Sequence, residues 1–186
     1  MPANVASFFA YIINAITSLY LLVLLLRFWL PWLRADFRNP LAQGILKLTS
    51  PAVVPLRRII PSFGRLDTAT IVVAFAIQYL AILIMLLIYG TTASIASIAL
   101  TSLVKLALLS INLFLFAILI RVILSWVSPG QFNPATAIIS TLTEPVLRPF
   151  RRIIPAIGGF DLSPIFAMIL LGASTQLLMG FNRLGF

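Results

Sequence analysis

The sequence predicts an all-α membrane protein with four transmembrane helices, arranged as a parallel tandem duplication of a two-helix hairpin. Its residues are 61% hydrophobic and 9% charged, and the mean hydropathy is +1.12. A folded chain of 186 residues leaves much of its surface exposed, so a soluble domain could not keep this many apolar side chains away from water. Four long apolar stretches and a motif that occurs twice give the prediction its detail.

The duplication is visible as a spaced set of residues that recurs 94 positions further along the chain (151 − 57 = 94). Arg57-Arg58-Ile59-Ile60-Pro61, followed by Gly64 and Asp67, returns as Arg151-Arg152-Ile153-Ile154-Pro155, followed by Gly158 and Asp161. The same offset relates further pairs: Arg27 and Arg121, Trp32 and Trp126, Asn39-Pro40 and Asn133-Pro134, Thr49 and Thr143, Pro51 and Pro145, Pro55 and Pro149. Each copy is therefore expected to be one structural unit.

Each copy holds two stretches that are long enough to cross a hydrocarbon core, which takes about 20 mainly apolar residues. In repeat 1, residues 1–90, they cover about 8–30 and 71–89. A linker, 91–101, leads to repeat 2, residues 102–186, where they cover about 102–127 and 165–181. The first stretch is expected to remain in the mature protein, because no basic region precedes it and no small-residue cleavage site follows it.

The basic residues predict the orientation of these helices. Most lie between the two spans of a repeat or at the adjoining helix ends: Arg27, Arg34, Arg38, Lys47, Arg57, Arg58, Arg65, Arg121, Arg148, Arg151 and Arg152. Only Lys105 and Arg183 belong to the other side. Because an excess of Lys and Arg marks the cytoplasmic side, both hairpin loops are predicted to be cytoplasmic, and both termini and the linker to be outside.

The segments 39–61 and 133–155 are too apolar for free loops, and their prolines divide them into pieces too short to span. Asn39 and Asn133 are suited to cap a short interfacial helix that starts with proline. Because the residue before proline disfavours helical backbone, the helix is expected to end before Pro51 or Pro145. A proline-bounded turn, ending at Pro61 or Pro155, would then present the arginine pair. A re-entrant loop covered by protein is the alternative.

Arg27 and Arg121 each have two interpretations. About 20 residues separate the start of the first span from Arg27, enough for its side chain to snorkel to the far interface, and this is the favoured interpretation. Trp32 and Trp126 agree with it, because indole rings favour the headgroup level. The alternative is a buried ion pair or a site facing a cavity.

Asp67 and Asp161 open the second helix of each repeat, where a carboxylate caps exposed N–H groups and interacts well with the helix dipole. A compatible alternative pairs each aspartate with an arginine of its own repeat, Arg58 with Asp67 and Arg152 with Asp161. Gly64 and Gly158 would permit the chain reversal between them by adopting a positive φ.

The net charge of +9 is thus predicted to be a one-sided membrane feature and not a nucleic-acid interface, because the basic residues are interleaved with Ile, Leu and Pro. Near a membrane surface each Lys or Arg contributes about 1 kcal/mol of attraction to anionic lipid. The candidate residues for binding lipid or partner proteins are Lys47, Arg57, Arg58, Arg148, Arg151 and Arg152.

Catalysis is not expected. The chain has no histidine and no cysteine, which removes the usual general base, the thiol nucleophile and most zinc or iron sites. Four carboxylates remain, two of them predicted caps, and no phosphate-binding loop or nucleophile elbow occurs. The sequence predicts no cofactor and no metal.

The duplicated Pro-x-Arg-Arg-Ile-Ile-Pro-x-x-Gly-x-x-Asp motif, with Asn39-Pro40 and Thr49-Ser50-Pro51 before it, resembles the YggT family, also called YlmG-related, of bacterial inner membranes and plastids. The resemblance covers essentially the whole chain. Repeat 2 departs by placing Pro129-Gly130-Gln131-Phe132 where repeat 1 has Ala35-Asp36-Phe37-Arg38. The resemblance implies a multi-pass protein of the bacterial inner membrane, in which the termini that the basic residues predict to be outside would be periplasmic.

The family has been associated with osmotic tolerance and potassium uptake, with cell division and nucleoid organisation, and in plastids with assembly of cytochrome b haem. A direct haem role does not transfer, since this chain has no histidine to bind haem. Two hypotheses follow. The favoured one is a non-enzymatic scaffold or assembly factor whose basic hairpins engage anionic lipid and partner proteins. The alternative is a channel or transport component, for which four spans would have to form a homo-oligomer or join a larger membrane protein.

Overall fold

The computed structural model describes residues 3–64, 66–127, 130, 133–154 and 161–182. Within these ranges the chain is helical, and the only β contact is a single bridge between Phe63 and Leu66. The helices are α1 (Ala3–Trp32), α2 (Pro40–Arg57), α3 (Thr68–Tyr89), α4 (Ile95–Val127), α5 (Pro134–Ile153) and α6 (Ser163–Met179). Residues named above that lie outside the described ranges are Arg65, Pro129, Gln131, Phe132, Pro155, Gly158 and Arg183. The all-α prediction is confirmed.

Three of the helices are long and apolar enough to cross a membrane, and they indicate a membrane protein. They are Asn4–Trp32, Thr68–Tyr89 and Ile95–Val127, with mean hydropathies of 2.2, 2.9 and 2.5. α6, Ser163–Met179, is also apolar but has 17 residues, which is near the lower limit for a span.

The same helix pairs pack together in the two halves of the chain. α1 packs against α2 and α3, α4 packs against α5 and α6, and α2 and α5 also contact α3 and α6 respectively. The halves meet where α4 touches α1 and α3, and where α2 lies beside α5. Between α2 and α5, Asn39 Nδ2 donates a hydrogen bond of 2.7 Å to the Pro134 carbonyl. The six helices therefore form one bundle.

The predicted caps of α2 and α5 are confirmed. Asn39 Oδ1 accepts from the Leu41 N–H, and Asn133 Oδ1 accepts from the N–H groups of Ala135 and Thr136. Proline follows each cap at the first helical position, where its missing N–H has no intrahelical partner to lose.

The prediction that these helices end before Pro51 and Pro145 is wrong. α2 continues through Pro51 and Pro55, and α5 through Pro145 and Pro149. Fully buried side chains lie on both sides of the first proline in each helix: Thr49 and Val53 in α2, Thr143 and Leu147 in α5. Burial against neighbouring helices thus outweighs the local preference of the residue before proline, as in other proline-containing helices. The arginine pairs consequently lie at helix ends and not in a turn.

Several boundaries also differ from prediction. α4 begins at Ile95, within the predicted linker 91–101, because the Ser94 hydroxyl accepts the Ser97 N–H at 3.2 Å and caps the helix. The chain reverses between α3 and α4 at Gly90, whose φ is +65°. Gly64 has a φ of +59°, as predicted for the turn before α3. In the same turn the Pro61 carbonyl accepts a 2.6 Å hydrogen bond from the Thr68 hydroxyl.

Candidate functional site

Two groups of charged side chains occupy equivalent places in the two halves. The first cluster consists of Arg27 on α1, Thr49 and Arg57 on α2, and Asp67 before α3. Arg27 Nη1 donates to Thr49 Oγ1 at 2.8 Å, and Arg27 Nε lies 3.6 Å from Asp67 Oδ2. The same carboxylate oxygen accepts a hydrogen bond from Arg57 Nη2. One aspartate therefore contacts two arginines.

Helix geometry explains why these residues meet. Thr49, Val53 and Arg57 follow one another at intervals of four, so they share one face of α2. Thr49 and Val53 are fully buried, which shows that this face is turned towards the bundle. The Thr49 hydroxyl donates its own proton to the Ile45 carbonyl at 2.6 Å, which leaves its oxygen lone pairs for Arg27.

Asp67 also caps α3, as predicted. Its Oδ1 accepts from the Thr70 N–H at 3.4 Å, and its Oδ2 accepts from the Thr70 hydroxyl at 2.8 Å. Burial acts to raise the pKa of Asp67, but the hydrogen bonds from Thr70 and Arg57 outweigh it, so the pKa lies below the ordinary value. Asp67 is therefore a carboxylate at neutral pH.

Arg27 is 2% exposed and Asp67 is 4% exposed. The favoured interpretation of Arg27 as a snorkelling side chain is thus wrong, and the buried ion pair is what the structure shows. A buried charge is stable only when partners compensate its lost hydration. For Arg27 the partners come from α2 and from the residue before α3. Among the described residues, the Arg27 Nε contacts only Asp67, at ion-pair distance, and makes no hydrogen bond.

The second cluster consists of Arg121 on α4, Thr143, Glu144 and Arg151 on α5, and Asp161 before α6. Arg121 Nη1 donates to Thr143 Oγ1 at 2.7 Å, and Arg121 Nη2 donates to Glu144 Oε2 at 2.9 Å. Arg151 Nη1 donates to both Glu144 oxygens, at 3.0 and 2.9 Å, and Arg151 Nε donates to Asp161 Oδ2 at 2.7 Å. The charges alternate in sign along this chain of contacts.

The second cluster is far more open than the first. The exposed fractions of the side chains are 23% for Arg121, 34% for Arg151, 48% for Glu144 and 39% for Asp161. Arg121 thus combines features of both interpretations, since it is ion-paired but remains partly exposed.

The ion pairs set the protonation states of the second cluster. Partial burial opposes charge on Glu144 and Asp161, but hydrogen bonds from Arg121 to Glu144, and from Ser163 and Arg151 to Asp161, outweigh it, so both pKa values lie below normal. The pKa of Arg151 is raised, because the two carboxylates outweigh its own desolvation. The cluster therefore holds two positive and two negative charges at neutral pH.

The predicted pairing of Arg58 with Asp67 and of Arg152 with Asp161 is wrong. Arg57 and Arg151 make these contacts instead. Because α2 and α5 remain helical through their prolines, each following arginine is rotated by about 100° around the helix, away from the buried face. In the proline-bounded turn that the sequence predicts, the second arginine of each pair could point back towards the aspartate.

Four other predicted site residues point away from the bundle. Lys47 on α2, Arg58 directly after α2, and Arg148 and Arg152 on α5 are all exposed. None of them takes part in the ion pairs found among the described residues. Lys47, Val54 and Arg58 recur at the spacing of one helix face, and Arg148 and Arg152 occupy the positions equivalent to Val54 and Arg58. These exposed cations are available to bind an external anion.

Sequence reasoning did not assign roles to Thr49, Thr143 or Glu144. The signal for the threonines was present, since they match at the repeat offset and lie eight residues before Arg57 and Arg151. Glu144 has no counterpart, because repeat 1 has Ser50 at the equivalent position. Within the described residues no group of three or more His, Cys, Asp or Glu side chains could hold a metal ion.

Comparison with known proteins gives a consistent result. The family model described as CCB3/YggT matches residues 6–88 and 100–182. The chain is 46% identical over 163 residues to the Pseudomonas aeruginosa protein PA0392, covering 87% of this chain and 83% of that protein. It is 36% identical over 162 residues to YggT of Escherichia coli, covering 87% and 84%.

A plastid relative matches a shorter part. YlmG homolog protein 2, chloroplastic, of Arabidopsis thaliana is 39% identical over 72 residues, which cover 37% of this chain and 27% of that protein. No solved structure matches the chain.

Proposed function

The chain belongs to the CCB3/YggT family, and we propose that it is a non-enzymatic scaffold or assembly factor of the bacterial inner membrane. Its α2 and α5 would lie at the cytoplasmic interface, hold anionic lipid with their exposed cations, and present a surface to partner membrane proteins or to further copies of the chain.

The observation that carries this proposal is the division of the basic residues into two sets. Arg27, Arg57, Arg121 and Arg151 are paired with carboxylates. Lys47, Arg58, Arg148 and Arg152, on α5 and on or directly after α2, are exposed and are absent from the described ion pairs. The first set maintains helix packing, whereas the second set keeps its charge for an outside partner. Four such cations at a membrane surface would contribute about 4 kcal/mol in total.

The proposal includes a four-span arrangement, with α6 as the fourth span and both termini periplasmic. α6 is a mainly apolar helix of 17 residues, and a helix of this length can span if the bilayer thins locally or flanking residues snorkel. The two stretches matched by the family model start 94 residues apart (100 − 6 = 94), which supports the duplication. Two equivalent hairpins in parallel would be related by an axis along the membrane normal.

Lipid retention tests the scaffold proposal. Replacing Lys47, Arg58, Arg148 and Arg152 together by Gln should weaken retention of phosphatidylglycerol and cardiolipin during purification, and the difference should shrink at high salt. The matched control changes only the three arginines to Lys, which keeps the charge and should keep retention. Equal lipid retention by the Gln variant and the unchanged protein would contradict the proposal.

Single cysteines test the topology, because the natural chain has none. Ser62, Ser94 and Ser140 are exposed in the structure and suit the purpose. In intact cells an impermeant thiol reagent should label Ser94→Cys and leave Ser62→Cys and Ser140→Cys unlabelled until the membrane is opened. Labelling of Ser62→Cys but not Ser94→Cys would invert the orientation, and unequal labelling of Ser62→Cys and Ser140→Cys would contradict the placement of both hairpin segments on one side.

A channel or transport component is the competing proposal. All four carboxylates of the chain, Asp36, Asp67, Glu144 and Asp161, lie outside α1, α3, α4 and α6, so no acidic group is positioned to carry a cation through the apolar helices. Potassium and sodium flux through liposomes containing the purified protein, with oligomer size measured on the same sample, would decide between the two. Robust flux would replace the scaffold proposal.

A further inference from the structure

A cleft of about 820 Å³ opens between the end of α4 and the start of α6, beside the second cluster. Its polar end is formed by Arg121, Arg151 and Asp161, and its apolar wall includes Trp126, Ile165 and Met168. Asp161 lies before α6, whereas Ile165 and Met168 lie in its first two turns, so the cleft changes from charged to apolar along α6. This is the layout of a phospholipid, with a charged headgroup above acyl chains.

The charge of the second cluster restricts the headgroup. Arg121 and Arg151 contribute two positive charges, and Glu144 and Asp161 contribute two negative charges, so the cluster as a whole is neutral. An anionic headgroup would gain from the arginines but would be repelled by the carboxylates. In a headgroup that carries one charge of each sign, the negative charge can pair with the arginines and the positive charge with the carboxylates. The occupied cluster then stays neutral.

Hydrogen-bonding capacity for such a headgroup is present. The described bonds of Arg151 use its Nε and Nη1, and the two N–H groups of Nη2 remain for a phosphate. Asp161 and Glu144 are partly exposed carboxylates with further lone pairs for an ammonium group. A phosphoethanolamine headgroup has both parts: its phosphate accepts hydrogen bonds, and its primary ammonium group donates them.

The equivalent place in repeat 1 is closed to a lipid headgroup. Arg27 and Asp67 are buried there, and Ala74, which corresponds to the half-buried Met168, is 3% exposed. Glu144 accounts for part of the difference, since it holds Arg121 on α5, whereas Ser50 at the equivalent position accepts only a 3.3 Å hydrogen bond from Arg27.

We propose that the cleft of the second cluster binds one phosphatidylethanolamine molecule, with its phosphate at Arg121 and Arg151 and its ammonium group at Asp161 and Glu144. The proposal depends on α6 lying in the membrane, as proposed above, but not on lipid binding by the exposed cations of α2 and α5. Under this proposal, repeat 2 binds a phosphatidylethanolamine headgroup and repeat 1 does not, although both contain the same motif.

Competition in native mass spectrometry tests the proposal on the purified full chain. Equimolar phosphatidylethanolamine and phosphatidylglycerol with the same acyl chains are offered, and the bound lipid is identified. The unchanged protein should retain phosphatidylethanolamine over phosphatidylglycerol by roughly tenfold or more, which is the lower end of the effect of one hydrogen bond to a charged group. Equal retention, or preference for phosphatidylglycerol, would overturn the proposal.

Asp161→Asn and Glu144→Gln each remove one negative charge and should shift the preference towards phosphatidylglycerol. Glu144 is an exposed residue of α5, so Glu144→Gln tests the site even if Asp161→Asn disturbs the start of α6. Asp36→Asn is the matched control, because Asp36 is exposed and lies between α1 and α2. An unchanged preference in both cluster variants, or an equal shift in Asp36→Asn, would contradict the assignment.

The Lys47, Arg58, Arg148 and Arg152 variant separates this inference from the proposed function. These residues do not line the cleft, so their replacement by Gln should leave the preference for phosphatidylethanolamine intact. Loss of that preference in this variant would show that the exposed cations, and not the cleft, select the lipid. If general retention of anionic lipid proves insensitive to these residues while the preference persists, only the scaffold proposal fails.

Discussion

The first and second clusters use the same arginine and threonine positions but place them in different surroundings. In the first cluster Arg27 and Asp67 are 2% and 4% exposed, and one carboxylate serves two arginines. In the second cluster the side chains of Glu144 and Asp161 are 48% and 39% exposed, and the charges balance. A motif that occurs twice in the sequence thus forms a buried ion pair in one half and lines an accessible charged cleft in the other.

The difference comes from residues that the two copies of the motif do not share. Ser50 corresponds to Glu144, and Thr70 corresponds to Pro164. Thr70 donates two hydrogen bonds to Asp67, through its N–H and its hydroxyl, whereas proline has neither donor. Asp161 instead accepts from the Ser163 N–H and from Arg151, and it remains exposed. Small changes around a shared arginine therefore decide whether its partner is enclosed.

The largest expected effect comes from removing the buried carboxylate. Asp67→Asn leaves Arg27 buried without a compensating charge, which should lower the free energy of unfolding by about 3–5 kcal/mol. Asp161→Asn is the matched control in the second cluster and should cost about 0–1 kcal/mol, because water can solvate Arg151. Unfolding in mixed detergent micelles measures both. Equal losses in the two variants would contradict the contrast in burial.

A double-mutant cycle sharpens the same contrast. Arg27→Met combined with Asp67→Asn removes both buried charges, so the double variant should be more stable than the sum of the single losses predicts. The coupling energy should be about 1–3 kcal/mol. The corresponding cycle with Arg121→Met and Glu144→Gln should give a coupling below about 1 kcal/mol, since that pair is partly exposed. Unfolding free energies of all six variants provide the test.

The threonines should show a smaller difference of the same sign. Thr49→Val removes the acceptor for a buried arginine and should cost about 1.5–3 kcal/mol, the range for hydrogen bonds to charged groups. Thr143→Val should cost about 1 kcal/mol or less, because Arg121 is partly exposed and water can replace the hydroxyl. A greater loss of unfolding free energy for Thr143→Val than for Thr49→Val would show that Arg121 depends on its threonine more than Arg27 does, which would contradict the contrast in burial.

The smallest expected effect near neutral pH is on the pH dependence of folding stability. The pKa of Asp67 is lowered from 3.8 in the folded chain, so the stability that it contributes is fully present above about pH 3.8 and is lost as the pH falls through the lower folded value. Asp161 has the same sign. The loss of stability from the two aspartates should therefore begin below about pH 3.8, and Asp67→Asn should reduce the pH dependence of the unfolding free energy there more than Asp161→Asn does. Midpoints measured between pH 2 and 7 check this.

Much of the architecture was predictable from the sequence. The apolar stretches, the Asn-Pro helix starts and the glycine before α3 are local signals, and the structure places helices α1 to α6 where these signals predicted them, with differences at the ends. The offset of 94 also predicted which arginines would be equivalent. These features follow from hydropathy and backbone preference, which depend on neighbouring residues in the chain.

The partners of the charged residues were not predictable in this way. Whether Pro51 ends a helix depended on the burial of Thr49 and Val53 against neighbouring helices, and that continuation selected Arg57 over Arg58 as the partner of Asp67. The burial of Arg27 likewise requires groups from α2 and from the residue before α3 to arrive together. Local sequence determined the helices and their caps, whereas the tertiary structure decided which charges are paired and which remain exposed, because ion pairing and burial depend on packing between distant segments.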